Sequence, residues 1–303
     1  MRLTAVLFGL LCCAALVING APLTTQDQED VRGAFLTSRP KDKPASSATT
    51  TKPTHRKPKP VPDNKSGDSA DKTPKPDSKT PKPETKGPKP APVNAQRLGL
   101  GLTLFMRDAN GLAVRTEPNH TFQKGDRVRV LLETNTDGYL YIFNTTNDGP
   151  PVMIYPDADL DEAGNYLQAH VPFEIPSSLA SEERLRWLVF DDNAGNEKLF
   201  FVFAKEPLTG LPIDDELIAL CRDSKGSCPV KPTADVWAQV EKELKMPLQS
   251  NTSAQNGQAQ TPAEQQASTR GLGLAKDDPQ PSMIMMASTK SSRLVTTLDL
   301  IHK

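Results

Sequence analysis

Residues 122–144, FQKGDRVRVLLETNTDGYLYIFN, decide the fold class because they predict two β-strands joined by a tight turn. Every second residue of the first strand is apolar, namely Val128, Val130 and Leu132. Side chains alternate between the two faces of a strand, so these three share one face. The opposite face is predicted to be mostly solvated, since it carries Arg127, Arg129, Leu131 and Glu133.

The second strand of this hairpin is apolar or aromatic at every position from Tyr139 to Phe143. It follows an Asp137-Gly138 turn, in which glycine adopts a positive φ at little cost. A strand with no polar face is buried on both sides. We therefore expect a central strand here.

Further short strands are predicted on both sides of this hairpin, with turn-forming residues between most of them. The predicted strands span 98–107, 126–134, 138–144, 152–155, 166–173, 184–190 and 198–204. Strands at this spacing are typical of a sandwich or a barrel. We predict a mainly β fold, an antiparallel β-sandwich.

Two short helices are predicted to follow these strands. The first carries Ile213, Leu217 and Leu220 at helical spacing. The second has Thr233 as its N-cap, and its apolar stripe comprises Val236, Trp237, Val240 and Leu244. Each helix is expected to lie against the sheet. Both tryptophans, Trp187 and Trp237, are interpreted as packing residues.

The N-terminal residues 1–20, MRLTAVLFGLLCCAALVING, resemble a secretory signal peptide, with Arg2 before an apolar run and small residues at its end. The run is shorter than the roughly 20 residues that a membrane span prefers. An uncleaved membrane anchor is the alternative. Export would place the protein in the periplasm, elsewhere in the cell envelope or outside the cell.

Residues 21–96 are predicted to be a disordered Pro/Lys/Thr-rich linker, because they lack apolar periodicity and contain near-repeats such as TPKPDSK and TPKPETK. Between residues 39 and 90 the chain holds 14 Lys/Arg and 6 Asp/Glu. The whole chain has a net charge of −1, so a basic tether is followed by an acidic body. Such a tether suits an anionic glycan or lipid surface, or serves only as a solubilising spacer.

Residues 97–303 form the predicted β-rich domain, interrupted at residues 249–268 by a polar stretch with linker composition. This stretch is expected to be a flexible excursion. Beyond it the apolar pattern resumes over 283–286 and 294–301, which predicts that the C-terminus supplies strands to the same sheets. Cys221 and Cys228 are expected to form a local disulfide, since export permits oxidation.

The motif search predicts no catalytic site and no cofactor. No G-x-S-x-G, H-E-x-x-H or phosphate-loop motif occurs, and the four histidines are scattered. Asp157, Asp159 and Asp161 are weak candidates for Ca²⁺, because carboxylates at alternate positions can converge in a tight loop, although Glu162 stands where an EF-hand needs glycine. A solvated acidic turn is the alternative. Asp191 and Asp192 are weaker candidates of the same kind.

Several segments of this body resemble the bacterial family called domain of unknown function 4384, in a form typical of Acidobacteria. They are residues 122–144 together with PPVMIYPDADL, AHVPFEIPSS, LRWLVFD, EKLFFVFAKEPL, ADVWAQV and the closing RLVTTLDLIHK. The resemblance implies a small β-rich module that other proteins append to kinases or caspase-like peptidases. It implies no catalytic residue for this chain.

The sequence therefore predicts an exported, non-catalytic β-domain on a basic tether. Its expected partner is an envelope protein or an anionic glycan or lipid surface, and a membrane only if the N-terminus stays uncleaved. Nucleic acid is not expected, because no aromatic residues interleave the Lys-Pro repeats. The alternatives are a structural spacer anchored by an uncleaved N-terminus and a hydrolase of envelope polymers that uses Asp157, Asp159, Asp191 and Asp192.

Overall fold

The computed structural model describes residues 25–42, 55–57, 97–158, 163–222, 228, 230–253 and 255–303. The signal-peptide prediction and most of the linker prediction lie outside these residues. Within them the helices are α1 (Thr25–Leu36), α2 (Asp214–Arg222), α3 (Ala234–Leu244) and α4 (Pro262–Arg270). The strands are β1 (Gly99–Arg107), β2 (Ala113–Arg115), β3 (Thr121–Phe122), β4 (Arg127–Thr134), β5 (Gly138–Thr146), β6 (Val152–Tyr155), β7 (Tyr166–Leu167), β8 (Phe173–Ile175), β9 (Leu188–Val189), β10 (Gly195–Ala204), β11 (Gln249–Thr252), β12 (Met283–Met286) and β13 (Arg293–His302).

The strands form two sheets, which confirms the mainly β sandwich. Sheet A has the order β11-β12-β1-β4-β8, with β2 also paired to β1 and β9 to β4. Sheet B has the order β3-β13-β10-β5-β6, with β7 also paired to β5. All of these pairs are antiparallel except β3 with β13, which is parallel. Strands β12 and β13 confirm that the C-terminus returns to complete both sheets.

The main hydrophobic core lies between the two sheets. Inward-facing residues alternate along each strand, as Leu100, Leu102 and Leu104 do on β1 and Val128, Val130 and Leu132 do on β4. From sheet B, inward-facing aromatic residues such as Phe201 and Phe203 meet them. The apolar alternation in the sequence thus identified this core correctly.

Helices α2 and α3 cover the outer face of sheet B. Leu217 of α2 and Val240 of α3 are buried in a second cluster with Tyr141, Phe143 and Val202. The predicted N-cap is confirmed, because the Thr233 side chain accepts a hydrogen bond from the Val236 backbone N–H. Trp237 packs edge-on against Phe200 and Phe143, with ring centroids 4.8 and 5.8 Å away. Strand β5 is therefore buried on both faces, as its composition predicted.

The outer face of sheet A is buried too, which corrects the expectation that the second face of β4 is solvated. Helix α1 packs there through Val31 and Phe35, against Ile284 and Met286 of β12. On β4 itself, Arg129, Leu131 and Glu133 are all buried. The charged residues of this face are compensated by ion pairs, so their polarity did not indicate exposure.

Two glycines of the RLGLGL stretch in β1 make room for this cover. A Cβ on Gly99 would meet Phe35 at 2.8 Å, and one on Gly101 would collide with Pro281. These two glycines therefore allow α1 and Pro281 to pack closely against β1.

Two predicted flexible regions contain ordered structure. The prediction of a disordered linker is wrong for residues 25–42, because α1 and Arg39 belong to the body, and for residues 55–57, where the Tyr166 backbone N–H donates to the His55 carbonyl at 2.7 Å. The expectation of a flexible excursion at 249–268 is also wrong, because β11 pairs with β12 and α4 begins with a capping box at Thr261. Residues 25–42 are held by apolar burial of Val31 and Phe35 as well as by hydrogen bonds, whereas β11 obtains its order from backbone pairing with β12.

Two predicted strands are shorter than expected. Residues 166–173 divide into β7 and β8, with His170 between them in the left-handed region at φ 57°. Residues 184–190 begin as a 3-10 helix, Glu183–Arg186, and only β9 is extended. Trp187 is buried, as expected of a packing residue, and its ring centroid lies 4.1 Å from the Arg129 guanidinium carbon, whereas Val189 is exposed.

Candidate functional site

A groove of about 230 Å³ opens at one end of the sandwich, between the sheets. Its walls are mainly apolar and comprise Ile154, Leu188, Val189, Phe190, Leu199 and Leu300. Its polar lining consists of Asn144, Asp191, Glu197 and His302. An apolar pocket with a few convergent polar groups is the usual form of a small-ligand site. We refer to these ten residues as the end groove.

The polar residues of the end groove occupy inward-facing strand positions. On β5, β10 and β13 the inward positions before them are Ile142, Leu199 and Leu300, all of which belong to the inter-sheet core. Two residues nearer this end of the sandwich, the same faces carry Asn144, Glu197 and His302. Three neighbouring strands thus change from apolar to polar at the same end of the sandwich.

Two polar atoms of the end groove are buried without a hydrogen-bond partner. They are Oδ1 of Asn144 and Nδ1 of His302, a residue only 4% exposed. Asn144 is oriented by its own Nδ2, which donates to Glu197 Oε2 at 2.8 Å. Leaving such an atom unsatisfied costs about 1–3 kcal/mol. The groove therefore holds unused hydrogen-bonding capacity.

The two carboxylates of the end groove are held in place by neighbours. Glu197 Oε2 also accepts a hydrogen bond from Thr146 Oγ1 at 2.8 Å. Asp191 accepts from the Asn193 backbone N–H at 2.7 Å and from Asn193 Nδ2 at 2.8 Å. These bonds from Asn193 hold the pKa of Asp191 below its usual value. Asp191 is therefore ionised at neutral pH.

A second cluster of polar groups joins the N-terminal segment to sheet A, and we call it the N-terminal clasp. It consists of Ser38, Arg39, Glu133 and His170. The Arg39 guanidinium donates from Nε and Nη2 to the two Glu133 oxygens, at 2.8 and 2.6 Å. Its remaining N–H groups reach the carbonyls of Ala275, Asp278 and Pro279. All five donors of this buried arginine are thus used.

Glu133 is the buried acceptor at the centre of the clasp. His170 Nδ1 lies 2.7 Å from Glu133 Oε1, and an ionised carboxylate can only accept, so Nδ1 donates. Burial by itself would raise the pKa of Glu133, but the hydrogen bonds from His170 and Arg39 outweigh it and lower that pKa. The carboxylate is therefore ionised although it is only 3% exposed.

The clasp has the connectivity of a serine, histidine and acid triad, because His170 Nε2 lies 2.8 Å from Ser38 Oγ. Its surroundings do not suit nucleophilic catalysis. The Phe35 carbonyl lies 2.7 Å from Ser38 Oγ and competes with the imidazole for the single Ser38 proton. Ser38 follows the C-terminal end of α1, where free carbonyls oppose negative charge, whereas an oxyanion requires N–H donors. We interpret the clasp as structural.

The predicted Ca²⁺ candidates are only partly within the described residues. Asp157 lies half-buried after β6, while Asp159 and Asp161 fall outside that part of the chain. Asp192 is exposed and pairs with Lys124 at 2.8 Å. Among the described residues, no three His, Cys, Asp or Glu side chains are grouped so as to hold a metal ion.

The predicted disulfide is present between Cys221 and Cys228, with an S–S distance of 2.15 Å. It joins the last turn of α2, which contains Cys221, to Cys228, and both cysteines contact the apolar cluster under α2 and α3. Its position is that of a local staple. In the described part of the chain, none of the helices is both long and apolar enough to cross a membrane.

Neither the end groove nor the clasp was predicted from sequence. The groove had a usable signal, because the period-two pattern of β5, β10 and β13 reaches Asn144, Glu197 and His302 on the inward face. The clasp had none, since Ser38 and Arg39 lie in a segment of linker composition and meet Glu133 only through tertiary contact. Arg39 and Glu133 are 94 residues apart, so no local sequence pattern could indicate that they meet.

Comparison with known proteins identifies one stretch of the chain. A family model described as Domain of unknown function (DUF4384) matches residues 121–207. These residues include β3 to β10, whereas β1, β12 and β13, which complete the two sheets, lie outside the match. No curated protein and no solved structure matches the chain. The similarity to the DUF4384 family of domains of unknown function is therefore shown for residues 121–207 of the chain.

Proposed function

We propose that this chain is an exported, non-catalytic binding module of the cell envelope, whose β-sandwich takes a ligand or a partner side chain in the end groove. The single observation that carries the proposal is the groove itself. Its lining is mainly apolar and includes Asn144 and His302, each of which has a buried polar atom that lacks a partner. A bound group that supplies those hydrogen bonds would remove their desolvation cost.

Export is supported by the composition of residues 1–20 and is compatible with the disulfide. The packing of α1 changes the role of the basic segment. After cleavage behind Gly20, only residues 21–24 would precede α1, so the Lys-Pro stretch does not separate the N-terminus from the body. Both flanks of that stretch, Arg39 and Arg97, contact the body. The basic stretch thus connects two segments that both contact the body.

Site-specific photocrosslinking in the native envelope tests the groove. A photoreactive residue replaces Val189, which lines the groove and is 51% exposed. The matched control replaces Leu220 on α2, which is 52% exposed and lies outside the groove. We expect a defined adduct from position 189 and none from position 220. Equal labelling at both positions, or none at either, would overturn the binding proposal.

Two further measurements test the other parts of the proposal. Mass spectrometry of the native N-terminus is expected to find a chain that begins at Ala21, and an intact Met1 in the mature protein would support the membrane-anchored spacer instead.

A serine-directed fluorophosphonate is expected to leave Ser38 unlabelled. Labelling that disappears in Ser38→Ala would show a reactive nucleophile and contradict the non-catalytic assignment.

A further inference from the structure

The end groove has a charge as well as a shape. Glu197 and Asp191 contribute two carboxylates, and none of its lining residues is Lys or Arg. The nearby cations are engaged elsewhere, since Lys198 pairs with Asp148 and Asp299, and Lys124 pairs with Asp192. Carboxylates beside low-dielectric walls favour a cation.

The unpartnered atoms indicate which kind of cation fits. Asn144 Oδ1 can only accept a hydrogen bond, and the bond from its Nδ2 to Glu197 fixes this orientation of the amide. His302 Nδ1 accepts in one tautomer of the neutral ring. With Glu197 and Asp191, the groove therefore offers mainly acceptors. A group with several N–H donors and a positive charge matches them, and a primary ammonium has three donors.

The size and walls of the groove limit the rest of the ligand. Leu188, Leu199 and Leu300 provide apolar surface, and the volume is about 230 Å³. At about 30 Å³ for each water-sized group, this space holds seven or eight non-hydrogen atoms. A chain of four to six carbons that ends in an ammonium group fills it.

We propose that the end groove binds a primary ammonium group at the end of a short apolar chain, as a lysine side chain or a free alkyl diamine presents it. This inference rests on the proposed function and names its ligand class. The carboxylates of Glu197 and Asp191 bind the charge, Asn144 Oδ1 accepts one of its hydrogens, and the leucines contact the chain. His302 closes the end of the site against Phe190, with ring centroids 5.1 Å apart.

Titration of the full chain with three hexyl compounds tests the charge requirement. Hexylammonium, hexanol and hexanoate have similar apolar chains and differ in their head groups, and binding is followed by calorimetry or by NMR shifts of His302. We expect hexylammonium to bind at least tenfold more tightly than the other two, and less tightly at high salt. Equal binding of hexanol and hexylammonium, or no binding of hexylammonium, would overturn the ammonium assignment.

Charge-neutralising variants localise the site. Glu197→Gln is expected to weaken hexylammonium binding about tenfold. Asp277→Asn makes the same change of charge at an exposed residue outside the groove, and it is expected to leave the affinity unchanged. An equal loss in both variants would show that the ammonium senses only the net charge of the body and would overturn the site. Thermal unfolding of both variants shows whether Glu197→Gln is folded, and Asp191→Asn replaces it if it is not.

Two further ligands distinguish the sources of the ammonium group. Nα-acetyl-lysine methylamide represents a lysine side chain on a polypeptide, and cadaverine represents a free diamine. Tighter binding of the first assigns the groove to a protein partner, and tighter binding of the second assigns it to a small amine. If all amines fail while the crosslink at position 189 still forms, the ligand class is wrong and the binding function stands.

Discussion

The two outer faces of the sandwich are both covered, but by different kinds of interaction. Sheet B is covered by α2 and α3 through apolar contacts, in which Leu217 and Val240 are buried. Sheet A is covered partly by apolar contacts of α1, through Val31 and Phe35, and partly by segments whose charges form buried ion pairs. The covering pairs are Arg39 with Glu133 and Arg115 with Glu264, and a third buried pair, Arg129 with Glu174, lies within the sheet between β4 and β8.

This difference shows what burial requires of each kind of side chain. An apolar residue such as Leu217 is stabilised by any well-packed environment, so an amphipathic helix indicates where it will lie. A buried charge is tolerated only with a specific partner in good geometry, and removing one partner leaves the other uncompensated. The cover of sheet A is therefore expected to be more sensitive to single substitutions and to pH.

Arg39→Ala is expected to have the largest effect, because it leaves the Glu133 carboxylate buried without its arginine. The free energy of unfolding is expected to fall by about 3–5 kcal/mol. Denaturant unfolding followed by circular dichroism measures it. Lys41→Ala, at an exposed position in the same segment, is the control and should change stability by less than about 0.5 kcal/mol.

The double variant Arg39→Ala/Glu133→Gln sharpens this test. Glu133→Gln removes the buried carboxylate charge that Arg39→Ala leaves uncompensated. The double variant is therefore expected to be more stable than Arg39→Ala alone. A loss below about 1 kcal/mol in Arg39→Ala would contradict a buried, uncompensated carboxylate in the clasp.

Leu217→Ala tests the apolar cover of sheet B. Truncating this buried leucine should destabilise the protein by about 3 kcal/mol, from lost transfer free energy and the cavity left behind. Leu220→Ala on the same helix is the matched control, since Leu220 is exposed and its truncation should be nearly neutral. Similar losses in both variants would mean that α2 does not pack through the face described.

Acid unfolding separates the two faces by their pH dependence. The folded-state pKa of Glu133 is lowered by its bonds to His170 and Arg39. Its contribution to stability is therefore complete above the unfolded-state pKa of about 4.3 and is lost as the pH falls through the lower folded value. Stability profiles between neutral pH and pH 2 should decline less steeply in Glu133→Gln than in the wild type, whereas Leu217→Ala should keep the wild-type slope.

Thr233→Ala is expected to have the smallest effect of the series. The Thr233 side chain caps α3 by accepting from the Val236 N–H, and its removal should cost about 1 kcal/mol. Thermal or denaturant unfolding measures this loss, with Lys231→Ala as an exposed control before the helix. An unchanged stability would show that this hydrogen bond is replaced by water.

The parts of the fold that were predicted correctly are those that follow a local period. Tyr139 to Phe143 indicated a central strand, the stripe of α3 identified Trp237 as a packing residue, and β13 was expected from its alternation. Residues 249–268 were assigned wrongly because composition was taken as evidence of flexibility. In the structure, β11 obtains its order from backbone pairing with β12, a partner that composition does not indicate.

For the end groove, the sequence contained the residues but not their convergence. Asn144, Glu197 and His302 each continue the inward face of a strand, yet their meeting depends on the registers of β5, β10 and β13. Those registers place Leu199 opposite both Asn144 and Leu298. A shift of one residue would turn each side chain to the other face and remove the site.

The sequence by itself determined the sandwich, the positions of α2 and α3, the cap at Thr233 and the pairing of Cys221 with Cys228. Each of these depends on residues near one another in the chain, through side-chain alternation, helical spacing or a short loop. Only the tertiary structure decided that Arg39 would be buried against Glu133 and that the end groove would exist. These features arise from contacts between distant segments, where the energy of a charged or polar group depends on the partners that the fold supplies.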